Sequence, residues 1–356
     1  MSTGGASFRT RVEPTLSVTT PTATAPPVTP ARHRDAARAA GLFAAVLLLA
    51  AVAGLSIAVG AKQLSPVEVW HGLVSATSPD HAVVHRMRLP RTLLGLLAGA
   101  ALGVAGTLMQ ALTRNPLADP GLLGINAGAS AAVATATALL GVGTVQGWLW
   151  FALLGAATVA ALVYAVGGGR RATPERLALA GAALNAVLYS YVSAVMLLDA
   201  ASLDRLRFWT VGSLAGAEFA TVRAVAPFIA AGLLVGLAAA RPLNALALGD
   251  DAARALGARP TLLRAAGIVA VTLLCGAATA ACGPIVFVGL LVPHLVRALT
   301  GPDLRWLLPA SAVLAPVLLL GADVLGRVLG RPGELQVGLV TAVLGGPLFL
   351  RLVVRR

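Results

Sequence analysis

The sequence predicts an all-α polytopic membrane protein with about ten transmembrane helices. Hydrophobic residues make up 58% of its 356 residues and charged residues only 12%, whereas a soluble domain carries roughly 25% charged residues. The mean hydropathy is +0.85. A transmembrane helix needs about 20 apolar residues to cross about 30 Å of hydrocarbon. Segments of about this length lie near residues 42–60, 92–112, 121–141, 147–167, 175–198, 222–240, 262–282, 284–299, 306–325 and 336–353.

The N-terminal segment differs in composition from the rest of the chain. Residues 1–30 are rich in Thr, Pro, Ser and Ala and show no apolar periodicity, which is typical of disorder. We therefore predict a disordered Thr/Pro-rich cytoplasmic tail over 1–40 and a transmembrane domain over 41–356. The first apolar run is long for a signal peptide and follows a long tail, so we interpret it as an uncleaved span.

The distribution of arginine predicts the orientation. With the N-terminus inside, the predicted cytoplasmic segments hold two thirds of the 27 basic residues. Cytoplasmic loops of membrane proteins are enriched in Arg and Lys, so this pattern favours ten spans with both termini in the cytoplasm. Arg88, Arg91 and Arg327 fall in the predicted external segments and therefore need another explanation.

Composition and short motifs exclude several function classes. The net charge of +13 follows from the cytoplasmic arginines, and with 4% aromatic residues the chain has few platforms for stacking nucleic-acid bases. The chain contains no GxxxxGK[ST], HExxH, CxxC or GxSxG motif, and Lys62 is its only lysine. Asp323 is the main ionisable residue in the spans, whereas proton-coupled carriers need buried acidic or His relays. We therefore expect no catalytic site, no resident metal and an external source of energy.

Two further features carry structural interpretations. Gly95, Gly99 and Gly103 form a ladder of small residues in the second span, which lets helix backbones approach closely. His81 and His85 are spaced i, i+4 in an external loop; they could bind a metal if that loop were helical, but a solvated loop is the simpler interpretation.

A polar stretch separates the sixth and seventh spans. Residues 249–258, GDDAARALGA, have the signals of a short helix. Asp250 can cap its N-terminus, Asp251 suits the positive end of the helix dipole, and Gly257 can end it. Arg254 lies within pairing reach of Asp250. The stretch is either an ordinary solvated connection or a docking surface for a cytoplasmic partner.

Several stretches together resemble the FecCD family of ABC importer permeases, and the likeness runs from Leu64 to the C-terminus. Gln336 is a departure, because the family usually has Pro there. The stretches are RLPR (88–91), MQALTRNPLADPGLLGINAG (109–128), LALAGAALN (177–185), LALGDDAARALGA (246–258), GPIVFVGLLVPHLVR (283–297), LLPASAVL (307–314), GADVLGR (321–327) and GELQVGLVTAVLGGPLFL (333–350).

This resemblance implies a type II ABC importer permease in the cytoplasmic membrane that translocates an iron–siderophore complex. It implies a second permease chain, identical or related, two cytoplasmic ABC ATPases that bind ATP and Mg²⁺, and an extracytoplasmic substrate-binding protein. This chain would have no ATPase site and no cofactor of its own. Haem or cobalamin is the alternative cargo, and a secondary transporter or an intramembrane enzyme is the alternative class.

The resemblance also implies roles for particular residues. Helices near 243–258 would couple the permease to the ATPases, and the fifth and tenth spans would line the pathway. Arg88, Arg91 and Arg327 would pair with acidic residues of the binding protein, although Arg at span ends also extends towards lipid headgroups. Asn115, Leu117, Pro174 and Glu175 would form a cytoplasmic gate, and FWTVGSL (208–214) would shield the mouth. The implied coupling residues are Gly249, Asp250, Asp251, Ala252, Ala253, Arg254, Ala255, Leu256 and Gly257.

Overall fold

The computed structural model describes residues 31–60, 64–169, 174–199 and 206–354. A π-helical segment, Val83–Arg88, leads into α3, and a 3₁₀ turn, Pro120–Leu123, precedes α4. The α-helices of the described residues are numbered here in chain order: α1 (Ala31–Ala58), α2 (Pro66–Val74), α3 (Leu89–Thr113), α4 (Ile125–Leu140), α5 (Val145–Val166), α6 (Pro174–Leu198), α7 (Phe219–Ala238), α8 (Ala240–Leu246), α9 (Asp250–Ala255), α10 (Pro260–Cys282), α11 (Val288–Thr300), α12 (Leu304–Leu329) and α13 (Val337–Val354).

The predicted all-α fold class is confirmed, since no strand occurs in the described ranges. Among the described residues, seven helices are long and apolar enough to cross a membrane. Three shorter apolar helices, α4, α11 and α13, accompany them. Each of these ten helices overlaps one of the ten predicted spans. The number of crossings and the side of the termini stay predictions.

The first helix begins earlier than the composition indicated. α1 starts at Ala31, inside the segment 1–40 that was predicted as a tail. Residues 31–40 are mostly Ala and Arg, which favour helix, and Asp35 pairs with Arg38 one turn later at 3.2 Å. The helix therefore continues N-terminally beyond the apolar span. Residues 1–30 lie outside the described residues.

α3 lies at the centre of the bundle, in contact with α10, α11 and α12. The predicted small-residue ladder accounts for part of this packing: a Cβ on Gly99 would meet the backbone of Pro316 at 2.5 Å, and one on Gly103 would meet the Ser311 carbonyl at 2.5 Å. Gly106 continues the ladder against the carbonyl of Gly289 on α11. Helices without side chains at the contact can approach closely, which is how α3 fits between its neighbours.

The two ends of the bundle carry different structures. At one end, called here the α9 end, lie the C-terminus of α3, the short helices α8 and α9, and the N-terminus of α12. At the other, the α2 end, lie the C-terminus of α1, the N-terminus of α3 and the C-terminus of α12. Most of the charged contacts between helices are concentrated at these two ends.

Candidate functional site

α9 forms a short helix at the surface of the α9 end. Its N-cap is Gly249, with φ of 108°, and the chain leaves it through Gly257, with φ of 80°. Both values lie in the left-handed region that favours glycine. Ala253 is fully buried beneath the helix, whereas Leu248 and Leu256 are 69% and 66% exposed. The leucines that flank the helix therefore present apolar surface outward, while Ala253 packs on the bundle.

The predicted side-chain roles of Asp250 and Arg254 were wrong in detail. Asp250 does not cap the helix, because Gly249 holds the N-cap position and Asp250 already has a helical backbone. Its carboxylate instead accepts hydrogen bonds from Arg114 Nη2 at 2.8 Å and from Arg264 Nη2 at 2.8 and 2.9 Å. Arg254 pairs with Asp251 at 2.7 Å rather than with Asp250.

The three side chains of Asp250, Arg114 and Arg264, called here the Asp250 bridge, join α9 to two long helices. Arg114 ends α3, and Arg264 lies in the first turns of α10. Arg114 also donates to the carbonyl of Leu246 at the end of α8, at 2.8 Å. Burial raises the pKa of the Asp250 carboxyl, but the hydrogen bonds and charges of Arg264 and Arg114 outweigh it, so the pKa lies below its usual range.

A second connection fixes α8 to α12. Asn244 Nδ2 donates to Asp303 Oδ1 at 2.7 Å, and Asn244 Oδ1 accepts from the backbone N–H of Leu304 at 3.0 Å. The side chain of Asp303 also accepts from the backbone N–H of Arg305 and so caps α12. α8 and α9 together are thus bonded to α3, α10 and α12, and a displacement of the short helices would be carried into all three.

At the α2 end, Arg88 and Arg327 hold the C-terminus of α1. Arg88 Nη1 donates to the carbonyls of Ile57 and Ala58 at 2.6 and 2.7 Å. Arg327 Nη1 donates to the carbonyl of Ser56 at 2.9 Å. The last carbonyls of a helix have no partner within the helix and carry its negative dipole end, so arginines suit this position. Both arginine residues are buried.

The remaining external arginine belongs to an ion-pair cluster, the Asp323 network of Arg91, Asp323, Arg327 and Glu334. Arg91 binds Asp323 through two nitrogens, at 2.8 and 3.0 Å, and Glu334 at 2.7 Å. Arg327 pairs with Asp323 at 2.9 Å. The Asp323 side chain is 0% exposed and that of Arg91 is 12% exposed. The predicted docking by Arg88, Arg91 and Arg327 stays a prediction, and the structure adds that all three have partners within the chain.

Sequence reasoning missed these internal partners. Asp323 is the main ionisable residue in the predicted spans, and a buried carboxylate needs a cation to offset its loss of hydration. That argument could have paired it with Arg327, four residues later on the same helix. The contacts of Arg88 and Arg327 with carbonyls of α1 cannot be predicted from the sequence, because every residue has a main-chain carbonyl.

The predicted gate residues lie in the loop after α3 and at the start of α6. Asn115 Oδ1 accepts from the backbone N–H of Leu117 at 3.0 Å and stabilises the loop after α3. Asn185 of α6 donates to the carbonyl of Gly121, at 2.8 Å, and ties the following turn to that helix. Pro174 is the first residue of α6, and Glu175 lies in its first turn. Their closing of a pathway stays a prediction.

In the same loop, Asp119 has an unusual environment. Its Oδ1 accepts from the backbone N–H of Gly121 at 2.7 Å. Burial raises the pKa of the Asp119 carboxyl to about 6, although the hydrogen bond from Gly121 acts in the opposite direction. No ion pair of Asp119 occurs among the described residues, in contrast to Asp250 and Asp323.

The segment predicted to shield the mouth packs across the ends of two helices. Trp209 Nε1 donates to the carbonyl of Ala280 at 3.3 Å, and the Ser213 N–H donates to the carbonyl of Cys282 at 2.7 Å. The Gly212 carbonyl accepts from the N–H of Gly338 at 3.0 Å. The segment therefore connects α10 to the start of α13, while residues 200–205 before it lie outside the described residues.

The histidine pair is not in a solvated loop, which corrects the simpler interpretation of the sequence. His81 Nδ1 and His85 Nε2 each lie 3.0 Å from a carbonyl at the end of α2, those of Gly72 and Leu73. The two rings are 4.3 Å apart. The contacts fix the end of α2, and no group of three or more His, Cys, Asp or Glu that could hold a metal occurs among the described residues.

Comparisons with known proteins identify the family of this chain. The model of the FecCD transport family matches residues 29–355. The chain belongs to the FecCD transport family. The ferric enterobactin transport system permease protein FepD of Escherichia coli K12 is 48% identical over 90% of this chain and 96% of its own length. The hemin transport system permease protein HmuU of Yersinia pestis is 38% identical, over 87% and 94%.

A solved structure shares the fold of this FecCD chain. It is described as an inward-facing conformation of a metal-chelate type ABC transporter, and it aligns with a TM-score of 0.77 at 28% identity, over 88% of this chain and 98% of that one. The FecCD resemblance of the sequence is thereby confirmed. The chain is a permease of an ABC transport system and resides in the cytoplasmic membrane.

Proposed function

We propose that this FecCD permease carries a ferric siderophore across the cytoplasmic membrane in an importer driven by separate ATPase subunits. The observation that carries the proposal is the pair of short surface helices α8 and α9, which together are bonded to three long helices of the bundle. Such a pair of helices can receive a displacement from a partner and pass it to the spans. The ferric enterobactin permease FepD, at 48% identity, supports a siderophore as the cargo.

In this proposal, residues Gly249 to Gly257 dock on a cytoplasmic ATPase that binds ATP and Mg²⁺. Leu248 and Leu256 offer exposed apolar surface, and Asp251 with Arg254 offers exposed charge. The α9 end would then face the cytoplasm, in agreement with the positive-inside rule, because most of the loop arginines lie there. The proposal keeps ten crossings with both termini in the cytoplasm.

The pathway would run between α6 and α13 of two permease chains, whether identical or related. The exposed side of α6 carries the small or weakly polar residues Ala182, Ala186, Ser190 and Ser193 beside the apolar Val187 and Leu197. The hydroxyls of Ser190 and Ser193 donate to carbonyls of their own helix. This surface offers a bulky ligand little to bind, which suits passage. The Asn115–Leu117 loop and the Pro174–Glu175 turn would close its cytoplasmic end.

We propose that an extracytoplasmic binding protein docks at the α2 end. Arg91 is the arginine of the three that lies beside an exposed acidic partner, Glu334, and a carboxylate of the binding protein could replace that partner. Arg88 and Arg327 would contribute by fixing α1 beside the docking surface. Charge complementarity of this kind mainly steers association and sets orientation.

Uptake into proteoliposomes tests the proposal. The permease, its ATPase and its binding protein are reconstituted, and accumulation of radioactive iron as ferric enterobactin is measured with and without ATP. We expect ATP-dependent uptake that requires both partners. Uptake by the permease alone, driven by a proton or sodium gradient, would contradict the proposal. Hemin in the same assay tests the second candidate, which the HmuU relative favours.

A further inference from the structure

A long groove runs along the outer side of the bundle between α5 and α10. Its volume is about 940 Å³. Its α5 wall contains Ala157, Ala160 and Ala161, whose short side chains leave the space open. At the end nearer the start of α5, Trp150 meets Phe228 of α7 edge to face, with ring centroids 5.4 Å apart. The groove is therefore apolar along its walls and bounded by aromatic rings at one end.

The dimensions of the groove match one lipid chain. Trp150 and Tyr164 both line it on α5, and at 1.5 Å per residue they are about 21 Å apart along the helix. One leaflet contributes about half of the roughly 30 Å of hydrocarbon in a bilayer. On α10 the lining between Ala265 and Leu273 contains no ionisable side chain. An acyl chain of one leaflet can thus lie along the groove at full extension.

The mouth of the groove, at the α9 end, is basic. Arg254, Arg264, Thr261 and Asp250 line it. Asp250 is already bound to two arginines, and among the described residues Arg254 is paired with Asp251 in an exposed ion pair, which contributes little in water. At this mouth Arg114, Arg254 and Arg264 outnumber Asp250 and Asp251. The excess of positive charge attracts anionic lipid headgroups.

We infer that this groove is a binding site for an anionic phospholipid. One acyl chain lies between α5 and α10, and the phosphate lies at Arg254, Arg264 and Thr261. A zwitterionic phospholipid with the same chains makes the same apolar contacts but gains less from the positive mouth. The inference does not depend on which cargo the permease carries.

Native mass spectrometry tests the site directly. The permease is reconstituted in nanodiscs of equal parts phosphatidylglycerol and phosphatidylcholine with identical acyl chains, and the lipids retained after release into detergent are counted. We expect retained phosphatidylglycerol in the wild type and loss of it in Ala161→Phe, because the ring fills the groove. Ala44→Phe, on the exposed surface of α1, makes the same change outside the groove and should retain lipid as the wild type does.

A second variant examines the headgroup. Arg254→Gln should lower the preference for phosphatidylglycerol about fivefold, because one arginine near a membrane surface contributes about that factor. Equal retention of the two lipids by the wild type would overturn the inference, as would unchanged retention in Ala161→Phe. Disulfide crosslinking of Ala161→Cys to a second permease chain would overturn it as well, since a protein would then cover the groove.

Discussion

The two ends of the bundle both contain a carboxylate bound by two arginines, but these ion pairs differ in how deeply they are buried. In the Asp323 network, the Asp323 carboxylate is fully buried and forms ion pairs with both Arg91 and Arg327. In the Asp250 bridge, the carboxylate also binds two arginines, but all three side chains are partly exposed. Buried ion pairs depend on every partner, because a charge left alone has lost its hydration. Exposed pairs can exchange partners, so we expect the α2 end to be rigid and, in the proposed mechanism, the α9 end to be the part that moves.

The largest effect is expected from Asp323→Asn. The change leaves the guanidinium groups of Arg91 and Arg327 without the buried carboxylate, and breaking a buried pair costs about 3–5 kcal/mol. Thermal unfolding of the purified permease in detergent measures it. Asp35→Asn makes the same change in an exposed i, i+3 pair and should alter stability by less than about 0.5 kcal/mol. Equal losses in the two variants would contradict the contrast between the ends.

The next effect concerns function rather than folding. Asp250→Asn keeps the size of the side chain but weakens both contacts of the Asp250 bridge. In the reconstituted importer we expect uptake per ATP hydrolysed to fall about tenfold, within the range of coupling free energies between sites. ATP hydrolysis itself should persist, because the ATPase still binds.

Two further variants test whether the loss of charge at Asp250 causes the fall in uptake per ATP hydrolysed. Asp250→Glu keeps the charge and should restore most of the ratio of uptake to hydrolysis, and Asp35→Asn should leave that ratio unchanged. If Asp250→Asn failed to co-purify with the ATPase, Asp250 would contact the partner directly and the internal bridge would not explain its role. Absence of ATP-dependent uptake in the wild type would contradict the proposed function instead.

Much of the fold could be predicted from local composition, whereas the partners of the charged residues at the two ends could not. Long apolar runs and the ladder of Gly99 and Gly103 act through burial and close packing, which local composition reveals. The partners of Arg88 are main-chain carbonyls of α1, and those of Asp250 are distant in sequence. Helix spacing predicted an Asp250–Arg254 pair, and tertiary contacts overrode it. The predicted tail over 1–40 is wrong for residues 31–40, because the Ala and Arg residues there favour helix.

Asp119 contrasts with Asp250, because the pKa of the Asp119 carboxyl is raised and that of the Asp250 carboxyl is lowered. Since its folded pKa is about 6 and an unfolded Asp titrates near 3.9, the native state binds more protons between these values. Stability should therefore fall as pH rises from about 4 to about 6 and level off above that. Asp119→Asn should flatten this slope in thermal unfolding measured across the same pH range. An identical slope in the variant would mean that another group is responsible.

The smallest effect on stability is expected from a substitution at Asp251. This variant distinguishes the proposed docking of α9 on the ATPase from its transmission of movement to the bundle. The Asp251 side chain is fully exposed and, among the described residues, pairs with Arg254, so Asp251→Asn should leave the thermal stability nearly unchanged. Any loss of uptake in this variant must then come from contact with the ATPase, because no bond to the bundle is removed. ATPase co-purification and uptake, measured beside Asp250→Asn, therefore distinguish docking from transmission within one helix. If the two variants lost uptake per ATP equally and both still bound the ATPase, the Asp250 bridge would have no special part in transmission.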